Sequence, residues 1–143
     1  MATDGGSQSG TPGSGDYSYD LGVWHIVSLN GTVSMKASSA QVAWLREDLE
    51  ANPSRCTLAY WHQPLFSSGY HGPDSTSAYV WQVLYEYGAE IVLNGHDHLF
   101  ERFAPQDPTG HRDEVNGILQ FTVGTGGAGI RGVASLQPNS EVR

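Results

Sequence analysis

The sequence predicts an α/β fold. Apolar runs of strand length alternate with segments of helical periodicity across residues 23–93, in the order β-α-β-α-β, and further short strands follow. Histidines also stand where two of these strands end, and the turn Asn94-Gly95-His96-Asp97-His98 follows directly on the apolar run Glu90-Ile91-Val92-Leu93. α/β sheets gather their sites beyond the carboxyl ends of their strands.

The first sixteen residues are Gly, Ser, Thr, Pro and Asp with hardly an apolar side chain. Such a composition does not offset the entropy of ordering, so residues 1–16 are expected to be a mobile tail. Val23-Trp24-His25-Ile26-Val27-Ser28-Leu29 then predicts a mostly buried strand ending at the Asn30-Gly31 turn, with His25 as a core or edge histidine. Ser38 and Gln41 have the form of a capping box ahead of the stripe Val42, Leu45 and Leu49, and Asn52-Pro53 closes that helix. A strand at Cys56-Thr57-Leu58-Ala59-Tyr60-Trp61 runs into His62-Gln63-Pro64, where proline stops ladder pairing. The second helix starts near Asp74 or Ser75, carries Val80, Trp81, Leu84 and Tyr87, and has Gly88 placed to end it. Residues 99–103 and 118–123 predict two more strands around a polar surface loop at 105–116.

At 143 residues the chain fits one domain with a moderate core. Its net charge of −8, with no basic cluster among seven Lys and Arg, disfavours nucleic acid as a main partner. A small anionic substrate would need local positive charge, which a bound metal supplies. The single cysteine, Cys56, excludes an intramolecular disulfide and reads as a small core residue. No apolar run reaches the length of a membrane span, and the first twenty residues lack a secretory pattern, so the chain is expected to be soluble, with its compartment unknown.

The chemistry rests on histidines. Side chains repeat every second residue in extended backbone, so His96 and His98 reach one region, and an adjacent strand would bring His62 to the same sheet edge. Neutral imidazole is a common ligand for zinc, iron and manganese. Asp97 would point away from both histidines and serve by hydrogen bonding rather than coordination, while His111 reads as a solvated loop residue and Glu101-Arg102 as an ordinary surface pair. The glycine run at residues 124–129 lacks the Gly-Lys-Ser/Thr ending of a phosphate loop and reads as a flexible turn near a site. The four tryptophans fall on predicted strands and helices, where core packing is expected.

Leu58-Ala59-Tyr60-Trp61-His62-Gln63-Pro64, Ser67-Ser68-Gly69-Tyr70-His71-Gly72 and Val92-Leu93-Asn94-Gly95-His96-Asp97-His98-Leu99-Phe100-Glu101-Arg102-Phe103 together resemble the C-terminal half of a calcineurin-like metallophosphoesterase of the bacterial purple-acid-phosphatase-like branch. The resemblance implies a partial metallophosphoesterase-type β-sandwich flanked by helices, with residues 17–143 as the half-domain. It also implies metal ligands at His62, His96 and His98, with His71 beside the substrate phosphate. The implied cofactor is a transition metal (Zn, Mn or Fe), one or two ions, activating water for hydrolysis of a small phosphate ester. The family's Asp-x-His, bridging Gly-Asp and Gly-Asn-His do not occur before His62, so a fragment or shortened relative is expected, and a degenerate metal-binding or interaction domain is the alternative. No membrane partner is expected. A half-fold of this kind leaves one sheet face uncovered, which predicts a homodimer.

Overall fold

The computed structural model describes residues 8–10, 13–53 and 56–143. Strands β1 (Gln8–Ser9), β2 (Tyr17–Leu21) and β3 (Trp24–Ser28) are followed by helix α1 (Ala40–Ala51), β4 (Cys56–Tyr60), helix α2 (Ala78–Glu86), β5 (Ile91–Asn94), β6 (Phe100–Phe103), β7 (Leu119–Val123) and β8 (Ser140–Val142). They build one eight-stranded mixed sheet in the order β1-β2-β3-β4-β5-β7-β6-β8, so the expected α/β class and its β-α-β-α-β run are present, with one layer of the expected sandwich. Of the tail expected to be mobile, residues 1–7, 11 and 12 lie outside the described residues, while Gln8 and Ser9 pair with β2.

The middle of the sheet is parallel: β3 pairs with β4, β4 with β5, and β5 with β7. Each step from β3 to β4 to β5 moves the same way across the sheet, and crossovers of one hand then place both helices on the same face. The core records this, since Val42, Leu45 and Leu49 of α1 and Val80, Trp81, Val83 and Leu84 of α2 cluster with Val27, Ala59 and Val92 of the sheet. Trp81 is fully buried and meets Phe66 edge-on, with ring centroids 5.3 Å apart.

The opposite face carries rows set by the strand registers. Ile26, Leu58, Ile91 and Leu119 form one, and Tyr60, Leu93 and Phe121 the next. Leu58, Ile91, Leu93, Leu119 and Phe121 are partly exposed, and Phe100 and Val123 at the margin are exposed. No helix of the described residues packs here. Nor is any helix among them long and apolar enough to cross a membrane.

Two local expectations are corrected. The N-cap of α1 is Ser39, not Ser38: its hydroxyl accepts from the Val42 N–H at 3.3 Å. Gln41 does not close a capping box but is buried and bridges to Asn30, accepting its N–H at 2.8 Å and donating to its carbonyl at 3.2 Å. A glutamine side chain reaches a loop carbonyl as readily as its own helix end, and burial decides between them. At the end of α2, Gly88 takes φ 71° and the bonds Ala89 N–H to Leu84 O and Gly88 N–H to Tyr85 O close the Schellman arrangement, as the sequence predicts.

Candidate active site

The parallel pairing of β4 and β5 sets their carboxyl ends side by side, and the Gly95 N–H donates to the His62 carbonyl at 3.0 Å. Gly95 faces the His62 ring, and a Cβ there would meet His62 Nδ1 at an ordinary contact distance of 3.6 Å. The next residue, His96, has φ 66°, a left-handed conformation uncommon for any residue but glycine. Backbone held in such a region clusters at functional sites. The turn is tightened by the Asp97 N–H to Gly95 O and Leu99 N–H to Asp97 O bonds, both 2.8 Å.

Three of the four expected histidines converge. His62 Nε2 and His96 Nδ1 are 3.2 Å apart. The His71 ring leans on His96, with centroids 4.3 Å apart, and Tyr70 meets His71 edge-on at 5.4 Å. His98 makes no hydrogen bond or ring contact with the other three among the described residues, and its buried Nδ1 has no hydrogen-bond partner. Burial pushes the His96 imidazole below the usual histidine range, His71 and His62 push it the same way, and Asp97 and Asp74 oppose them. A depressed imidazole is neutral at neutral pH, the form that ligates metal.

Two nitrogens at 2.0–2.1 Å from one tetrahedral ion are about 3.3 Å apart, so the His62 and His96 pair has the spacing of two ligands on one centre. The unpartnered His98 Nδ1 is a polar atom still in need of a partner. No group of three or more His, Cys, Asp or Glu among the described residues is arranged to hold a metal.

Asp97 acts by hydrogen bonding, as expected, but its partners and the other residues of the site were not legible from the sequence. Asp97, 1% exposed, accepts from the Ser67 hydroxyl and, at 2.9 Å, from the His71 backbone N–H. Glu101 is corrected from a surface residue to a fully buried one: it accepts the Ser68 N–H at 2.9 Å, and it is Glu141 that pairs with Arg102, at 3.0 Å. Gly124 is not a flexible turn residue, because a Cβ there would come 1.9 Å from the Asp97 carbonyl oxygen. Arg131, in the same glycine-rich segment, donates its N–H to the His98 carbonyl at 2.8 Å and lays its guanidinium over Tyr70, 5.0 Å from the ring centroid. The one available signal for Arg131 was its being the only basic residue between Arg112 and Arg143.

Residues 5–100 match the family model of the calcineurin-like phosphoesterases. The chain belongs to that family. Among the calcineurin-like phosphoesterases it is 33% identical over 102 residues to purple acid phosphatase 15 of Arabidopsis thaliana, covering 67% of this chain and 19% of the relative. Purple acid phosphatase 23 of the same plant is 32% identical over 127 residues, covering 85% of this chain and 27% of the relative. Purple acid phosphatase PPD1 from yellow lupin (Lupinus luteus) seeds shares the fold with a TM-score of 0.80 at 18% identity, covering 89% of this chain and 26% of that one. This chain thus spans between 19% and 27% of the length of these phosphatases.

Proposed function

We propose that this calcineurin-like phosphoesterase is a metal-dependent hydrolase of small phosphate esters, using one or two transition-metal ions (Zn, Mn or Fe) with His62 and His96 as ligands and the unpartnered His98 as a third. The observation that carries the reading is the 3.2 Å approach of the two ring nitrogens, with the His71 ring tilted against the His96 ring. An ion held there supplies Lewis-acid polarisation of a phosphoryl oxygen and lowers the pKa of bound water. The protein's own part is positional. His71, exposed and set beside His96, faces the space where a phosphate would sit and supplies a hydrogen bond to its oxygens or a proton to the leaving group. Arg131 adds fixed positive charge next to that space: Arg46, Arg102 and Arg112 pair with glutamates, while Arg131 has no carboxylate within ion-pair distance among the described residues.

One observation favours a second reading, a metal-binding domain with little turnover: the described residues hold no cluster of three metal-ligating side chains. Metal content and aryl phosphate hydrolysis, measured for the parent and for His96→Ala, separate the two. The phosphatase reading expects one or two ions per chain, turnover abolished by chelation and restored by Zn, Mn or Fe, and both lost in the variant. Bound metal without turnover supports the second reading, and no metal in either protein overturns both. The partly exposed apolar sheet face supports a further proposal, that two copies of the chain pair through it.

A further inference from the structure

We propose that Asp97 is a positioning residue whose buried carboxylate sets the loop at residues 67–71 so that His71 lies against His96; the proposal rests on the phosphatase reading of this site. Both oxygens are committed to the loop. Oδ2 takes the Ser67 hydroxyl, Oδ1 takes the His71 N–H at 2.9 Å, and the Ser67 oxygen in turn accepts the Gly69 N–H at 3.0 Å. Residues 67, 69 and 71 are thereby tied, directly or through Ser67, to one side chain. The loop also presses on it: a Cβ at Gly69 would come 2.3 Å from Asp97 Cγ. Ser67, Ser68 and Gly69 are buried and Tyr70 and His71 are exposed, so the Asp97 carboxylate grips the loop both at its buried start and at the exposed residue that carries the imidazole.

Asp97 forms no ion pair among the described residues and no hydrogen bond to a ring nitrogen of His62, His96 or His98. It therefore acts on the imidazoles through its field alone, opposing the lowered His96 pKa, and braces none of them by a hydrogen bond. Burying a polar side chain costs desolvation, which its hydrogen bonds to Ser67 and His71 offset. What the carboxylate provides is two acceptors aimed at fixed loop donors. Its place in the chain matters as well. Because Asp97 directly follows His96, any shift of the turn that carries His96 moves the anchor of His71 with it, and the two rings keep their 4.3 Å approach. The residue between two metal-facing histidines thus sets the geometry of a third that faces substrate.

The test is a double-mutant cycle on the metal-loaded full chain with Asp97→Ala, Asp97→Asn, His71→Ala and Asp97→Ala/His71→Ala. Bound metal, thermal unfolding, aryl phosphate kinetics and the His71 ring resonances in nitrogen-15 NMR spectra are recorded for each. Asp97→Ala should keep its metal within about twofold, move the His71 resonances, and lower kcat by about tenfold to a hundredfold, as a misplacement near 1 Å does. Asparagine retains an acceptor for the His71 N–H and should recover most of that loss. In the His71→Ala background the Asp97→Ala change should cost almost nothing more, because residues that act as a unit are not additive. An equal loss in both backgrounds, or loss of metal with His71 unmoved, overturns the proposal. If Asp97→Ala does not fold, Asp97→Asn and Ser67→Ala carry the same comparison. Should the parent itself show no turnover, the phosphatase reading fails on its own, and the NMR comparison still decides: unchanged His71 resonances in the Asp97 variants reject a positioning role.

Discussion

His25 shows how one side chain can tie a pH response to the fold. It is 2% exposed, with Nδ1 2.8 Å from Asp20 and Nε2 2.9 Å from Asp48, and Asp48 also accepts the Ser18 hydroxyl at 2.7 Å. A neutral imidazole has one donor and one acceptor, so a ring between two carboxylates is satisfied at both nitrogens only when protonated. Burial works against the charge, but the hydrogen bonds and fields of Asp48 and Asp20 outweigh it and hold the His25 pKa above its ordinary value. The unfolded value is about 6.5, so this contribution to stability is fully present below that pH and is lost as pH rises through the higher folded pKa. His96, whose pKa is depressed, titrates on the acid side of the same reference. Urea midpoints should therefore fall as pH rises above about 6.5. In His25→Ala that slope should flatten and stability should drop by about 3 kcal/mol, because Asp48 is left buried without its partner. A midpoint that is flat with pH in the parent would reject the assignment.

At the scale of elements, the segments with strong local periodicity were legible and those made by tertiary contact were not. Val42, Leu45 and Leu49 on α1 and the apolar strands β3, β4 and β5 appear where the spacing places them, because burial on one face dictates spacing. The edge strands Gln8–Ser9 and Ser140–Val142 carry no such pattern, since an edge needs only a neighbour's backbone. Asp97 was expected to act by hydrogen bonding and Glu101 to lie on the surface, but the partners of both come from a loop some thirty residues earlier, as the pairs Ser67 to Asp97 and Ser68 to Glu101 show, and no local spacing announces them. The approach of His62 to His96 follows their strand-end placement, whereas His98, expected with them, touches neither ring among the described residues, and Arg131 depended on how the glycine-rich segment folds back to His98. That segment offers a sharp test. Gly124→Ala places a methyl against the Asp97 backbone, so it should cost about 1–3 kcal/mol by overpacking and disturb the His96 turn, whereas Gly126→Ala, which meets nothing within 4 Å, should be nearly silent. Thermal unfolding of the two variants settles it, and equal effects would show that the segment is loose.

For the whole molecule the deciding feature is that α1 and α2 lie on one side of the sheet. The other side presents rows of Ile26, Leu58, Ile91 and Leu119 and of Tyr60, Leu93 and Phe121. Contiguous exposed apolar patches can serve as interaction surfaces, and at roughly 25 cal/mol per Å² even a few hundred Å² removed from water on each copy is substantial before the cost of association. The proposed two-fold dimer should run at twice the chain mass by light scattering at micromolar concentration. Leu93→Glu, at the middle of the face, should run as a monomer. A parent that stays monomeric throughout would show that two copies do not pair through this face.

One-sided coverage by helices also changes what stability means for this chain. If half of the apolar contact of its central strands comes from another copy, folding and pairing are one equilibrium, and the free energy of the folded state carries a term in the logarithm of protein concentration. Dilution then acts as a denaturant, and a chain that is sound at micromolar levels becomes fragile at nanomolar ones. The histidine cluster stands at the ends of β4 and β5, two of the strands that form that face. Metal and partner would then bind to the same folded state, each raising the apparent affinity of the other without touching it.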